Sequence, residues 1–394
     1  VSPAGDAIPT QQDGPAADPQ EVSSVLIVGA GLIGSSLGMA LRNQGVDVYL
    51  TDRDPAAAHL AEALGAGRCL EPANEPELVV LATPPSTVGP VLIQYQRSYF
   101  NATFTDLASV KSQPQRDIEA NGGDVSRFVG GHPLAGRERS GPGAARADLF
   151  EGRPWVLTPS AATSPLALAR ARWLAARCGA QVVTMTPERH DAAVALVSHI
   201  PQLMASLTAA RLESADWDLV ALSGQGVRDV TRIAASDPAL WTQIMASNAP
   251  FILEVLDSLR RDLDEARDAL AAVHTAGRSS ALGGDPRLAD SSTDRLMRPV
   301  TSLLERGNAG RGRIPGKHGA APATYTLVPV VVADSPGELA RLLVACGDAG
   351  INVEDVSIEH SQGQPVGLVE IAVRPMAAPV LAAALRQRGW SVHF

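Results

Sequence analysis

Cysteine is scarce: Cys69, Cys178 and Cys346 lie far apart and form no CxxC pair. An odd number at such spacing argues against a disulfide framework and offers no zinc motif, so a reducing cytoplasm and no bound metal are expected. Positive charge is also in deficit, with 33 Lys and Arg against 42 Asp and Glu and a net charge of -9. Nucleic-acid binding needs a surplus of cations, and this balance excludes it as the main role. An anionic small molecule stays open, because a few placed arginines bind one whatever the global sign. Aromatic residues make up only 4% of the chain. The uncharged run from Val22 to Leu41 is long enough for a bilayer, but its glycines and serines after a β-branched start read as a buried strand turning into a helix. No membrane is expected.

What is present is apolar material for several cores: 45% hydrophobic residues over 394 positions suits two or three domains. Residues 1–22, rich in Pro, Ala, Gly and Asp, read as a disordered tail without the basic start and apolar core of a signal peptide. From 23 to 186, the runs VLIVGAG, VDVYLTD, LVVLATPP, TFTDLAS, FVGGHP and WVLTP alternate with helical stretches, which predicts a doubly wound α/β domain on a mostly parallel sheet. Residues 187–274 are helical in pattern and apolar on more than one face, which predicts packing against a second copy and hence a homodimer. Residues 275–323 read as a linker with one short helix near 295–304, and residues 324–394 follow a β-α-β-β-α-β order.

After the strand VLIV comes Gly29-Ala30-Gly31-Leu32-Ile33-Gly34. Glycines here serve a tight turn, close approach of backbone to a pyrophosphate, and close helix–strand packing, while the helix start offers free N–H groups. Asp52, at the end of the second strand, suits the adenosine ribose hydroxyls and disfavours a 2′-phosphate. NAD is therefore expected over NADP, although Arg53 beside it could accept the phosphate. Thr83 and Pro84 in LATPP lie at the carboxyl edge of the sheet, where such folds bind ligands.

Two further segments carry chemistry: TDLASVKS (residues 105–112) and VGGHPLAGRERSG (residues 129–141). His132 follows a strand and two glycines and precedes a proline, which presents its imidazole at a strand end. With these segments, GAGLIGSSLG, HD at His190-Asp191, SHIP at residues 198–201 and RDVTRIAASDPALW at residues 228–241, the chain resembles the prephenate dehydrogenase family from Ser24 to about Leu270. DSPGELARLL and AGINVEDVSIE resemble an ACT domain, which some members carry.

The resemblance implies that prephenate and NAD⁺ give 4-hydroxyphenylpyruvate, CO₂ and NADH. Oxidation at C4 turns a hydroxyl toward a carbonyl, so a base within reach of that hydroxyl lowers the barrier; His132 is the candidate, with Ser109 bonding the same hydroxyl or orienting the imidazole. The resemblance assigns Arg232 to the ring carboxylate. Ser198 and His199 are either satisfied core groups or pocket lining, and Pro201 is expected to kink their helix. Many members read SHLPH, whereas here the last position is the uncharged Gln202. Trp241 is either an aromatic near a neighbouring subunit's site or plain core. Glu138 and Asp229 are candidates to gate the pocket.

In the terminal domain, Asp334 or Ser335 is expected to cap a helix after Pro336-Gly337. With Asn352, this start is the expected seat of an amino-acid effector, tyrosine or phenylalanine. Three other readings fit parts of the chain. An arogenate dehydrogenase differs by an amine against a ketone. A non-catalytic NAD and amino-acid sensor would have no need of His132, Ser109 and Arg232. An ACT-bearing hydroxyacid dehydrogenase would be expected to keep a Lys or an Arg-Glu-His set that is not found.

Overall fold

The computed structural model describes residues 21–136, 139–280, 293–315, 325–360 and 365–394. The expected tail up to residue 20, Glu138 and much of the expected linker lie outside them. Val22, assigned to the tail, is instead buried in the core. The chain divides into two compact units at Ser258/Leu259, inside the helix Ala249–Ser280.

The first unit is built on seven strands: β1 (Ser24–Val28), β2 (Asp47–Thr51), β3 (Leu78–Leu81), β4 (Thr103–Asp106), β5 (Phe128–Pro133), β6 (Pro154–Thr158) and β7 (Gln181–Thr184). Their order is β2-β1-β3-β4-β5-β6-β7. Strands β1 to β5 run parallel, and β6 pairs antiparallel to β5. The six apolar runs of the sequence become β1 to β6. Strand β7 was not expected, because its four residues are exposed at the sheet edge and show neither a buried run nor alternation.

Packing explains the glycine turn. Gly29 has φ +112°, and a Cβ there would lie 2.3 Å from the Ala82 carbonyl oxygen. At Gly34 a Cβ would lie 2.0 Å from the Gly29 carbonyl oxygen. These two residues press the helix Leu32–Arg42 against the strand ends. Gly31 is different, since nothing lies within 4 Å of its added Cβ, and the space belongs to whatever approaches the backbone.

Beyond β7 the unit is helical. The helices Pro187–Val194 and Ile200–Ala209 run on through a π-turn over Ala195–His199. Pro201 has no N–H to donate to the carbonyl four residues earlier, and one inserted residue of register absorbs the loss. Among the described residues, Pro187–Ala209 is long and apolar enough to cross a membrane. Its buried His190, Asp191, His199 and Gln202 instead make hydrogen bonds inside this unit.

The second unit continues the helix Ala249–Ser280 and carries a helix Arg298–Arg311, longer than the short one expected in the linker. Arg306 pairs with Asp262 at 2.7 Å. Its sheet joins β8 (Thr326–Ala333), β9 (Asp355–His360), β10 (Val366–Val373) and β11 (Ser391–Val392) in the antiparallel order β11-β8-β10-β9. The helices Glu338–Asp348 and Ala378–Gln387 complete a β-α-β-β-α-β order around Val328, Val330, Leu342, Ile371 and Leu381. The cap expectation is corrected here: Gly337, at φ +91°, precedes Glu338 with no side-chain cap, since a left-handed glycine carries the chain into the helix directly.

Substituting Gly29→Ala is expected to destabilise the first unit by about 1–3 kcal/mol, because strain and overpacking add. Gly45→Ala, also at positive φ but facing open space, should cost no more than about 1 kcal/mol. Urea unfolding of both variants checks the ranking.

Candidate active site

A cleft of about 620 Å³ opens at the carboxyl ends of β1, β3, β4 and β5. One wall is the glycine turn with Leu32 and Ile33, and beside it stand Thr83, Pro84 and Ser109. His132 forms the next wall, and Gln202, Ile233, Leu240, Trp241 and Ile244 close the helical side. Expected residues from six separate segments thus meet in one cavity.

The glycine turn has the features of a dinucleotide site. Gly31 precedes the helix Leu32–Arg42 without a side-chain cap, so the first N–H groups of that helix are available to an anion. The Asp52 carboxylate accepts from Ala30 N at 2.6 Å and Asp54 N at 2.8 Å, which draws the acid up to the turn. Arg53 beside it is exposed. The Thr83 hydroxyl is buried with no hydrogen-bond partner, an orphan donor on the cleft wall.

His132 is half-buried at the end of β5, and behind it lies a hydrogen-bonded chain that sequence reading did not resolve. Its Nδ1 is 2.8 Å from His190 Nε2, and His190 Nδ1 is 2.8 Å from Asp191 Oδ1. Asp191 also accepts the backbone N–H groups of Lys111 and Ser112, each at 2.8 Å. The Lys111 ammonium is fully buried, paired with Asp106 and donating to the Gly131 carbonyl at 2.6 Å. Asp106 in turn accepts the Gly131 N–H at 3.0 Å, which fixes the backbone just before His132. The HD and TDLASVK motifs were visible in the sequence, but their partnership spans about eighty residues.

A second imidazole, His199, is buried on the π-turn. Asn248 donates to it at 3.0 Å and to the Asp191 carbonyl at 2.9 Å, and the Trp241 ring meets it edge-on at 6.1 Å. Gln202 donates to the Ser236 hydroxyl at 2.7 Å. Ser198 is half-buried on the same turn and does not line the cleft.

Like Ser198 and His199, two more expected residues do not line the cleft. Arg232 is exposed and not on the cleft wall, because the short turn Arg232–Ala234 rotates Ile233 inward and its neighbour out. Among the described residues, the cation that lines the wall is Arg139, in the loop after His132. Asp229 is likewise exposed, accepting from Gln225 at 2.8 Å.

Both imidazoles are held neutral. Burial, with His190, Lys111 and His199 nearby, pushes the pKa of His132 well below the ordinary imidazole value. Burial lowers that of His199 to about 4, against the pull of Asp191. Burial opposes ionisation of Asp191, but the His190, Ser112 and Lys111 donors outweigh it and hold its pKa below the carboxylate norm. A neutral imidazole on a wall between a nucleotide cradle and an apolar pocket can accept a proton from a substrate hydroxyl.

Residues 37–184 match the family described as prephenate dehydrogenase, nucleotide-binding domain, and residues 186–278 match its dimerization domain. The chain is 40% identical over 372 residues to a probable prephenate dehydrogenase of Streptomyces niveus, covering 94% of this chain and 99% of that one. The structure of Aquifex aeolicus prephenate dehydrogenase with hydroxyphenyl propionate and NAD⁺ superposes with TM-score 0.60 at 28% identity, over 74% of this chain and 99% of that one. Synechocystis arogenate dehydrogenase gives TM-score 0.56 at 28% identity, over 73% and 98%.

The lowered histidine pKa values set the sign of a stability change. In the unfolded chain these imidazoles take up protons near pH 6.5, whereas in the folded protein they do not, so their stabilising effect is complete above that pH and declines as pH falls below it. Urea unfolding at pH 7.5 and 5.0 should show wild type losing stability, and His199→Gln losing less of it over the same interval.

Proposed function

We propose, from the premise that the chain belongs to the prephenate dehydrogenase family, that it catalyses the NAD-dependent oxidative decarboxylation of prephenate to 4-hydroxyphenylpyruvate. The observation that carries this reading is a neutral His132 in the same cleft as the glycine turn, Thr83 and Ser109. The turn fits NAD⁺: Gly31 leaves room for a pyrophosphate, and the Thr83 hydroxyl lacks a partner. Asp52 at the turn favours a free ribose over a 2′-phosphate. Bound NAD⁺ supplies the two-electron acceptor.

The chain's own residues do the rest. His132 accepts the proton of the C4 hydroxyl through the ring nitrogen that His190 leaves free, and Ser109 bonds the same hydroxyl. Loss of the ring carboxylate as CO₂ makes the ring aromatic and drives the reaction, so the protein has chiefly to position its substrate. A dianion calls for two cations. Arg139 lines the wall and Arg232 stands one residue from the wall residue Ile233, and the reading assigns the two carboxylates to this pair.

Arogenate, which carries an ammonium, is the alternative substrate. Gln202 on the cleft wall is uncharged, and Asp237, the carboxylate among the described lining residues, is engaged as a helix cap by Ala239 N at 2.9 Å; this reading favours prephenate. A homodimer is supported by the family's dimerization domain and by Leu196, Val197, Trp217 and Leu222, which this chain leaves exposed. The β-α-β-β-α-β unit resembles an ACT domain, and the proposed effector is tyrosine or phenylalanine near the Asp334–Gly337 turn and Asn352. Cytoplasmic placement is supported by three thiols that stand free.

With prephenate and NAD⁺, wild type is expected to produce NADH, and His132→Asn to lose about 10²–10⁴-fold in kcat. Arogenate with NAD⁺ should be the poorer substrate by kcat/KM; equal or better turnover would transfer the assignment to arogenate. Millimolar tyrosine or phenylalanine should change activity or melting temperature, and no effect of either would remove the effector proposal.

A further inference from the structure

The Asp191 carboxylate fixes the protons of two imidazoles in series. Each of its oxygens accepts a backbone N–H, from Lys111 and from Ser112, and a backbone N–H can only donate. These donors favour the ionised carboxyl, which can only accept, so His190 Nδ1, 2.8 Å from Oδ1, carries the proton between them. An imidazole whose single proton is on Nδ1 has its lone pair on Nε2, and this atom of His190 lies 2.8 Å from His132 Nδ1. Two lone pairs cannot share that contact, so His132 carries its proton on Nδ1 and its Nε2 is bare. A donor pattern set on Asp191 by the main chain thus decides which nitrogen of His132 is basic.

The same chain offers a route for charge. Around His132 stand the ammonium of Lys111 and the imidazoles of His190 and His199; one step further, Asp106 pairs with Lys111 and Asp191 is hydrogen-bonded to His190. Asp106 is taken up by Lys111, which leaves Asp191 as the anion for a new positive charge. We propose that His190 and Asp191 are positioning residues of the dehydrogenase, holding His132 as the Nδ1–H tautomer and taking over its charge when it is protonated. The step balances: the substrate O–H proton goes to His132 Nε2, the Nδ1 proton of His132 crosses to His190 Nε2, and the imidazolium ends against the Asp191 carboxylate. No electron pair leaves the relay, and the reverse transfers reset it.

This inference rests on the proposed dehydrogenase reading, but its first test needs no substrate. In the ligand-free full chain labelled with ¹⁵N-histidine, His132, assigned by its absence in His132→Asn, should show a protonated Nδ1 and a bare Nε2. Protonation on Nε2 instead would overturn the proposal, whatever the protein turns over. In kinetics, Asp191→Asn should lower kcat about 10²–10⁴-fold and leave the KM for NAD⁺ unchanged. It should also move the acid limb of the pH profile to lower pH, because removal of the anion makes protonation of His132 harder. A loss equal at every pH, with the limb in place, would mark Asp191 as merely structural and overturn the charge role. His190→Gln covers the case in which Asp191→Asn does not fold. Its amide oxygen still accepts the His132 Nδ1–H but cannot take the proton, so kcat should fall about tenfold or more. Wild-type kcat in this variant would refute the relay.

Discussion

The contact on which the site depends is the acceptance of the Lys111 and Ser112 backbone N–H groups by the Asp191 carboxylate. An ionised carboxylate buried without donors would be strongly destabilising, and here two main-chain donors and an imidazole offset that cost. The geometry is consequential because it joins parts of the chain that have no local reason to meet. Asp191 stands on the helix Pro187–Val194, after the last strand, and Lys111–Ser112 follow β4 in the middle of the sheet. Through this joint the helices come to lie over the strand ends, and a pocket wall made of Gln202, Trp241 and Ile244 faces the glycine turn.

Its neighbour, the Lys111–Asp106 pair, does related work from inside the sheet. Asp106 holds the Gly131 N–H and Lys111 holds the Gly131 carbonyl, so both polar groups of the residue preceding His132 are engaged by one buried ion pair. Burial pushes the Lys111 pKa down while Asp106 and Asp191 pull it up, and downward wins. Such a pair is weak support for stability in itself, since desolvation opposes it. Its value is orientation: Gly130 and Gly131 pack against Lys111, Asp106 and Thr158 too closely for a side chain, and His132 emerges at one defined place.

How much of this could be read from the residues follows from the range of each interaction. Six strands announced themselves as short apolar runs, and the glycine turn and its acid sit within one β-α-β unit, so local pattern sufficed. Strand β7 lacked such a pattern because it is an exposed edge. His132 was legible from its glycines and proline, which are neighbours in sequence. His190 and Asp191 were legible only as a motif without a role, because their partners are 58 and 80 residues away. Arg232 was legible as part of a motif but not in its direction: one residue of rotation in a short turn decides whether a side chain faces a cleft or solvent, and periodicity does not fix that angle. Arg139, quoted within the same loop as Glu138, carried no signal beyond its charge.

The depressed basicity of His132 suits the reaction proposed for it. A general base is useful only in its unprotonated form, and a histidine surrounded by Lys111, His190 and His199 keeps that form throughout the neutral range. The cost of weak basicity is poor proton affinity, which would slow an uphill deprotonation. Here the substrate's collapse to an aromatic ring supplies the driving force, so the base needs only to hold the proton through the transition state. Two features of the arrangement raise its affinity at that moment. A dianionic substrate beside the imidazole favours the charged form, and Asp191, through His190, offers a carboxylate to the proton's charge. The cleft therefore combines a base that stays free at rest with an anionic surrounding that appears in full only when the substrate is bound, and catalysis draws on that difference.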